Sequence, residues 1–267
     1  MKEIITDIEK LAEAAKPLKF INEDGSFDKE TGTNIVNELR EVLENTPNLL
    51  ALSAPQIGID ARVIAIKFND AIKFFINPVI TKKLKYVIQG ETFASMPGKE
   101  ILITRPEEVT AVYYTEEFKY EDNKLLGLAA RLFDQQAQLL DGVLPSELGL
   151  VSDIEYDGSL ADLTEEEFKQ VVEIYKQFIK SKISTLEKNI EEDADLAKEY
   201  RSLKFTESVI NGKAAIVAAD PKDLESYKKV QAGTALINKS ISDQTKAYNR
   251  AQVAKVANKS RKHKGRK

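Results

Sequence analysis

The chain has 267 residues, of which 42% are apolar and 31% are charged, so it can bury the core of at least one globular domain. It contains no cysteine and one histidine, His263, which argues against disulfides, thiolate chemistry and any metal centre built from histidine and cysteine. No apolar run approaches the ~18 residues of a membrane span, and the N-terminus lacks the apolar region of a signal peptide. We therefore expect a protein of the producing cell's cytoplasm.

The net charge of −4 is distributed unevenly. Residues 251–267 hold seven lysines or arginines and no acidic residue. Such a segment is either an arm that binds a polyanion, such as RNA, or a solubilising end, and its spacing does not choose between them. We call residues 259–267 the basic tail; its candidate polyanion-binding residues are Lys259, Arg261, Lys262, Lys264, Arg266 and Lys267.

Residues 1–155 are predicted to form one compact domain of helices and strands. Apolar residues at helical spacing predict an amphipathic helix over 29–45. Runs rich in β-branched and aromatic residues predict strands at 61–67 and 72–76, and a hairpin over 109–120. The Leu- and Ala-rich segment 125–141 is too long for a strand and predicts a buried helix.

Residues 160–258 are predicted to form a mainly helical extension. Thr164 and Glu167 have the spacing of a capping box, and the apolar residues behind them recur every three or four positions, which predicts a helix of six or more turns. Asn211-Gly212 predicts a short hairpin near 208–217. A second long helix is predicted from Pro221 to about Asn258. The apolar stripe of the first helix must be buried, either within this chain or on a partner chain.

Three segments in the first domain, taken in order, resemble the signature motifs of peptide deformylases. LLALSAPQIG at 49–58 is similar to the family's G-x-G-x-A-A-P-Q loop. ETFASMPG at 91–98 is similar to its E-G-C-L-S stretch. QQAQLLDGVL at 135–144 is similar to H-E-x-D-H-L-x-G-V-L. The resemblance implies an α+β fold with antiparallel sheets around a central buried helix, and it does not extend to residues 160–267.

The resemblance also assigns roles to positions, and most of those positions carry other residues here. The family's cysteine ligand corresponds to Phe93, its two histidine ligands to Gln135 and Leu139, and its glutamate general base to Gln136. Gln56 keeps its identity; in the family this side chain helps to hold the substrate carbonyl. An amide is no general base near neutral pH, and a phenyl or isobutyl group cannot hold a metal.

These replacements predict that the chain is a pseudoenzyme, with no catalytic residue, no metal and no cofactor. The positions of the former site are Gln56, Phe93, Ala94, Gln135, Gln136 and Leu139. We expect Phe93 and Leu139 to fill the core, and Gln135 and Gln136 to be satisfied by local hydrogen bonds or to line a retained groove.

Three functional hypotheses follow from the sequence. The first is a structural or interaction protein that docks other chains through its C-terminal helices, with a bacteriophage virion part, such as a tail or baseplate component, as the example. The second is a binding module that holds a peptide terminus beside Gln56 while the basic tail contacts RNA or the ribosome. The third is an enzyme with unrelated chemistry. The abundance of acidic residues is the only sequence feature that favours it.

Overall fold

The computed structural model describes residues 1–20, 28–68, 71–187 and 194–211. Its first part is a six-stranded antiparallel sheet with one helix on each face. The strands follow the order β1-β2-β3-β4-β5, and β6 pairs with the beginning of β4. They span Ala51–Ser53 (β1), Val63–Phe68 (β2), Ala71–Thr92 (β3), Lys99–Tyr114 (β4), Tyr120–Leu126 (β5) and Leu150–Asp153 (β6).

The helices in chain order are Glu30–Asn45 (α1), Leu128–Leu140 (α2), Pro145–Leu148 (α3), Ile154–Asp157 (α4), Glu165–Leu186 (α5) and Ala194–Ile210 (α6). Among the described helices, none is long and apolar enough to cross a membrane.

The sheet is buried on both faces, because α1 covers one face and α2 covers the other. Successive side chains of a strand point to opposite sides and so enter the two cores in alternation. In β2, Val63 and Ala65 belong to the cluster packed with α1, whereas Ile64 and Ile66 belong to the cluster packed with α2. The predicted helix 29–45 is therefore confirmed as α1, and the strand predicted at 61–67 is confirmed as β2.

Strand β3 is much longer than the predicted segment 72–76. Its first part pairs with β2, and the rest pairs with β4 as far as Thr92 opposite Glu100. Two register shifts interrupt the pairing near Asn77 and Thr81, where an irregularity bends a strand. The long β3–β4 hairpin therefore reaches beyond the central sheet and carries the ETFASMPG segment at its end.

The predicted helix over 125–141 begins later than expected. Leu125 and Leu126 complete β5, which pairs with β4, and α2 starts at Leu128. Gly127 separates the two elements with φ +56, a backbone angle that favours glycine. Pairing with β4, a long-range interaction, decides this boundary over the helical preference of the leucines.

The extension packs against the first domain. Helix α5 begins at the predicted capping box, where Glu167 Oε2 accepts from Thr164 N at 2.8 Å and Thr164 Oγ1 accepts from Glu167 N at 3.3 Å. Tyr175 of α5 donates its hydroxyl hydrogen to the Leu148 carbonyl of α3 at 3.1 Å. The apolar stripe of α5 is buried within this chain; its buried members are Tyr175, Ile179, Ile183 and Leu186.

The hairpin predicted near 208–217 is wrong at its start, because residues 208–210 are the last turn of α6. The rest of that hairpin, the helix predicted from Pro221 to Asn258, and the basic tail lie outside the described residues.

Candidate functional site

The LLALSAPQIG segment places Gln56 in a short 3₁₀ turn that follows β1. Gln56 is fully buried, and its Oε1 accepts from the backbone N–H of Ser53 at 3.0 Å and from the Ser53 hydroxyl at 3.2 Å. Its Nε2 donates to Ser95 Oγ at 3.2 Å. The first and second motif segments are therefore in direct contact, and the Gln56 amide serves to join them.

The second and third motif segments also meet. Gln135 Nε2 donates to the Thr92 carbonyl at 3.2 Å, so α2 lies against the residue that precedes Phe93. Gln136 Nε2 donates to Gln135 Oε1 at 3.0 Å. Among the described residues, nothing donates a hydrogen bond to the buried Gln136 Oε1. The predicted local hydrogen bonds are therefore found for both groups of the Gln135 amide, but only for the donor group of Gln136.

Phe93 and Leu139 are both core residues, with exposed fractions of 2% and 0%. They belong to one buried cluster that also contains Tyr175, Ile179 and Ile183 of α5. Ala94 is half-buried beside them. We call Phe93, Gln135, Gln136 and Leu139 the motif cluster. Phe93 and Leu139 pack in one core with α5, and Gln135 bonds to the residue before Phe93.

The third motif also contains Gly142, at a position where only glycine fits without strain. Gly142 has φ +73, and a Cβ at this position would lie 2.4 Å from the Ala12 carbonyl oxygen. Any other residue would strain the backbone and displace the N-terminal segment. The segment around Ala12 is held here as well, because Ala15 N donates to the Leu140 carbonyl at 2.8 Å.

A second buried group, which we call the Arg105 cluster, lies beside the motif cluster. It consists of Arg105 on β4, Glu91 on β3, Asp134 and Gln138 on α2, and Lys83 on β3. The Arg105 side chain is fully buried and donates to both Glu91 oxygens, at 2.9 and 2.5 Å, and to Asp134 Oδ2 at 2.9 Å. Lys83 Nζ lies 2.6 Å from Asp134 Oδ1.

The ion pairs of the Arg105 cluster shift the pKa values of Arg105 and Asp134. Burial by itself lowers the pKa of Arg105, but Glu91 and Asp134 outweigh it and keep that pKa above the usual value. Burial likewise raises the pKa of Asp134, but Lys83 and Arg105 outweigh it and keep that pKa below the usual range. Two cations therefore contact two carboxylates here, and both carboxylates are engaged in ion pairs.

The sequence analysis did not identify this cluster. An arginine that follows the run ILIT in β4 is a usable signal, because a guanidinium buried in such a strand requires carboxylate partners. The sequence does not show which of 43 acidic residues those partners are.

Taken together, an antiparallel sheet with a central helix that carries the third motif, and three motif segments in mutual contact, define the class of deformylase-like α+β folds. A model of the polypeptide deformylase family matches residues 1–148. The chain belongs to the polypeptide deformylase family. Both the expected family and the expected fold class, α+β with a helical C-terminal region, are thereby confirmed.

Individual relatives agree with this assignment. The peptide deformylase of Dictyoglomus turgidum is 30% identical over 111 residues, which cover 42% of this chain and 72% of the relative. That of Agathobacter rectalis is 31% identical over 146 residues, which cover 53% and 86%. The crystal structure of a probable peptide deformylase from Synechococcus phage S-SSM7 matches with a TM-score of 0.50 and 25% identity, covering 55% of this chain and 99% of that chain.

These relatives correct one prediction. The replaced motif residues predicted that the chain is not an enzyme, but the relatives are named peptide deformylases, and the family to which the chain belongs is one of enzymes. The inference failed because it extended a property of four positions to the activity of the whole protein.

The family's metal can still be tested against the side chains present. The three ligand positions carry a phenyl ring, an amide and an isobutyl group, which are not the thiolate, imidazole and carboxylate donors that such ions require. Within the described ranges, no three His, Cys, Asp or Glu side chains group as a metal site. Asp134 and Glu91 are committed to Arg105. The motif cluster does not fit a transition metal held in this way.

Proposed function

We propose that this protein acts as a structural or interaction protein built on the deformylase fold. In this proposal residues 1–155 form a rigid block, and the helical extension provides the surface that contacts other chains. One observation carries the proposal: α5 packs its apolar stripe into the same buried cluster as Phe93 and Leu139. The motif positions thus contribute to one continuous core that joins the block to the extension.

The outer surface of the extension supplies the contact in this proposal. Ile174 on α5 is 54% exposed although its helix neighbour Tyr175 is fully buried. A groove of about 250 Å³ lies between α5 and α6, with Ile179 and Ile210 among apolar lining residues and Lys176 and Lys180 at its side. An apolar floor with a charged rim is typical of surfaces that bind other proteins.

The more specific part of the proposal is that the assembly is a virion part such as a tail or baseplate. The similarity to a probable peptide deformylase of a phage is the reason to consider a phage protein, and it says nothing about a particle. The protein would then be made in the cytoplasm and incorporated into the particle. Contact of the basic tail with RNA remains a prediction. If it is correct, the chain should be retained on heparin in a salt-dependent manner, and removal of residues 259–267 should abolish this retention.

The test is to isolate the chain from its native cells and to measure the mass and composition of the complex by light scattering and mass spectrometry. We expect defined partner chains in constant ratio. Ile174→Asp should remove those partners without changing stability, because the side chain is exposed, and Lys169→Ala near the start of α5 is the matched control. A chain that elutes without partners, or equal retention in both variants, would refute the proposal.

A second candidate function is peptide deformylation, which the names of the relatives favour. It predicts that the purified full chain, incubated with formyl-Met peptides and Fe²⁺, Ni²⁺ or Zn²⁺, releases formate. A relative assayed in parallel is the positive control. Formate at the level of the buffer, while the control is active, would eliminate this candidate.

A further inference from the structure

Strand β5 forms one edge of the sheet. It pairs with β4 on one side, and within the described residues no strand pairs with its other side. Asp122, Asn123 and Lys124 at its centre are exposed, and Leu126 at its end is 57% exposed. An edge strand offers a row of backbone donors and acceptors to which another strand can bind.

The hydrogen bonds to β4 show which backbone groups face outward. Gly127 N donates to the Glu107 carbonyl at 2.8 Å, and residues of an antiparallel pair bond in alternation. The odd-numbered residues of β5 therefore bond to β4. The N–H and C=O groups of Asp122, Lys124 and Leu126 are directed away from the sheet.

Only some registers allow two copies of β5 to bond antiparallel through these outward groups. A two-fold axis at Asn123 places Asp122 of each copy opposite Lys124 of the other, and Tyr120 opposite Leu126. An axis at Asp122 or at Lys124 would instead place two like charges opposite each other, which is destabilising. The sequence YEDNKLL is thus complementary to itself about its central residue.

Charged residues on an edge strand usually discourage pairing. Here Asp122 and Lys124 carry opposite charges on either side of Asn123. They therefore disfavour registers with the axis at Asp122 or Lys124 and favour the register with the axis at Asn123. Lys124 already contacts Glu108, but Glu108 also contacts Lys85 and keeps a cationic partner if Lys124 turns toward the second copy.

From this arrangement we propose that β5 is a homodimer interface, in which two copies of this chain join their sheets antiparallel about Asn123. The inference does not rest on the proposed function, because it concerns the purified chain alone rather than its complex with other chains. One strand pair is a small interface, so the dimer should form in a concentration-dependent manner.

The first experiment uses the absence of cysteine from the chain. Residues opposite each other at a non-hydrogen-bonded antiparallel position have Cα atoms about 4.5 Å apart, within the range of a disulfide. Asn123→Cys should therefore yield a disulfide-linked dimer of the full chain under mild oxidation. Glu165→Cys, at the start of α5 and strongly exposed, is the control and should remain monomeric.

The second experiment exchanges the charges. By sedimentation, the wild-type chain should approach twice its mass of 29.9 kDa as its concentration rises. Asp122→Lys should raise the dissociation constant about tenfold, because two lysine pairs then face each other. The double variant Asp122→Lys/Lys124→Asp should restore dimerisation.

Each result decides the proposal. A wild-type chain that stays monomeric, a dimer that Asn123→Cys does not trap more than Glu165→Cys does, or a double variant no better than Asp122→Lys would each overturn it. Circular dichroism of every variant checks that the overall secondary-structure content is unchanged.

Discussion

Two neighbouring contacts join the β3–β4 hairpin to helix α2. One is formed by uncharged side chains and the other by charged side chains. The motif cluster makes the first contact through Phe93, Leu139 and the Gln135 amide. The Arg105 cluster makes the second through ion pairs around the fully buried Arg105 side chain. On α2, Asp134 and Gln138 are four residues apart, as are Gln135 and Leu139, so each pair occupies one of two adjacent faces of the same helix.

The difference between the clusters shows two ways of filling the interior of one domain. Apolar packing needs no partner of a particular charge and tolerates similar shapes. A buried ion pair stabilises the fold only while every member is present, because a charge left alone is costly. The four predictions below test this contrast, and they are ordered by expected effect.

The largest effect is expected from Arg105→Met. Removing the guanidinium leaves Glu91 and Asp134 buried with an unbalanced charge, and breaking such a pair costs about 3–5 kcal/mol of unfolding free energy. Urea denaturation followed by circular dichroism measures the loss. Arg131→Met, which breaks the partly exposed pair with Glu107, is the control and should cost about 0–1 kcal/mol. Equal losses would show that burial does not decide the strength of these pairs.

Leu139→Ala tests the apolar contact. The side chain is fully buried between α2 and the extension, and its truncation should cost about 2–5 kcal/mol in the same denaturation experiment. Leu128→Ala on the same helix removes a half-exposed side chain and should cost about 0.5 kcal/mol. If Leu139→Ala is as mild as its control, the motif cluster is not part of a tightly packed core.

The third prediction converts the motif cluster into a metal site. The variant Phe93→Cys, Gln135→His, Gln136→Glu and Leu139→His carries donors at three converging positions, so Zn²⁺ should raise its melting temperature. At a hundredfold excess over the dissociation constant the gain is about 2.7 kcal/mol. The same variant with Leu139 retained lacks one ligand and should respond less. No shift in the complete variant would mean that the three positions do not converge as the hydrogen bond of Gln135 to Thr92 indicates.

The smallest effect concerns acid. Lys83 and Arg105 hold the pKa of Asp134 below its usual range despite burial, so its charged form stabilises the fold above the unfolded pKa of about 3.9. That contribution is lost as the pH falls through the lower folded pKa. The unfolding free energy should decline below about pH 4, less steeply in Asp134→Asn, whereas Leu139→Ala should keep the wild-type slope. Identical slopes in all three proteins would remove Asp134 from the acid response.

Local patterns predicted the elements in which neighbouring residues decide the conformation. The spacing of apolar residues predicted α1, and the capping box at Thr164 predicted the start of α5. The boundary between β5 and α2 was predicted wrongly, because pairing with β4 outweighs the helical preference of Leu125 and Leu126. The length of β3 was missed for the same reason, since its second half is defined by pairing with β4.

By itself the sequence determined the family, through the order of three motifs, and it determined which ligand types are missing at the motif positions, because side-chain chemistry is a local property. The tertiary structure decided how Arg105 is neutralised, where the stripe of α5 is buried, and that Gln56 is enclosed rather than open to a groove. Each of these depends on contacts between residues far apart in the chain, and no local pattern specifies which distant residue will be the partner.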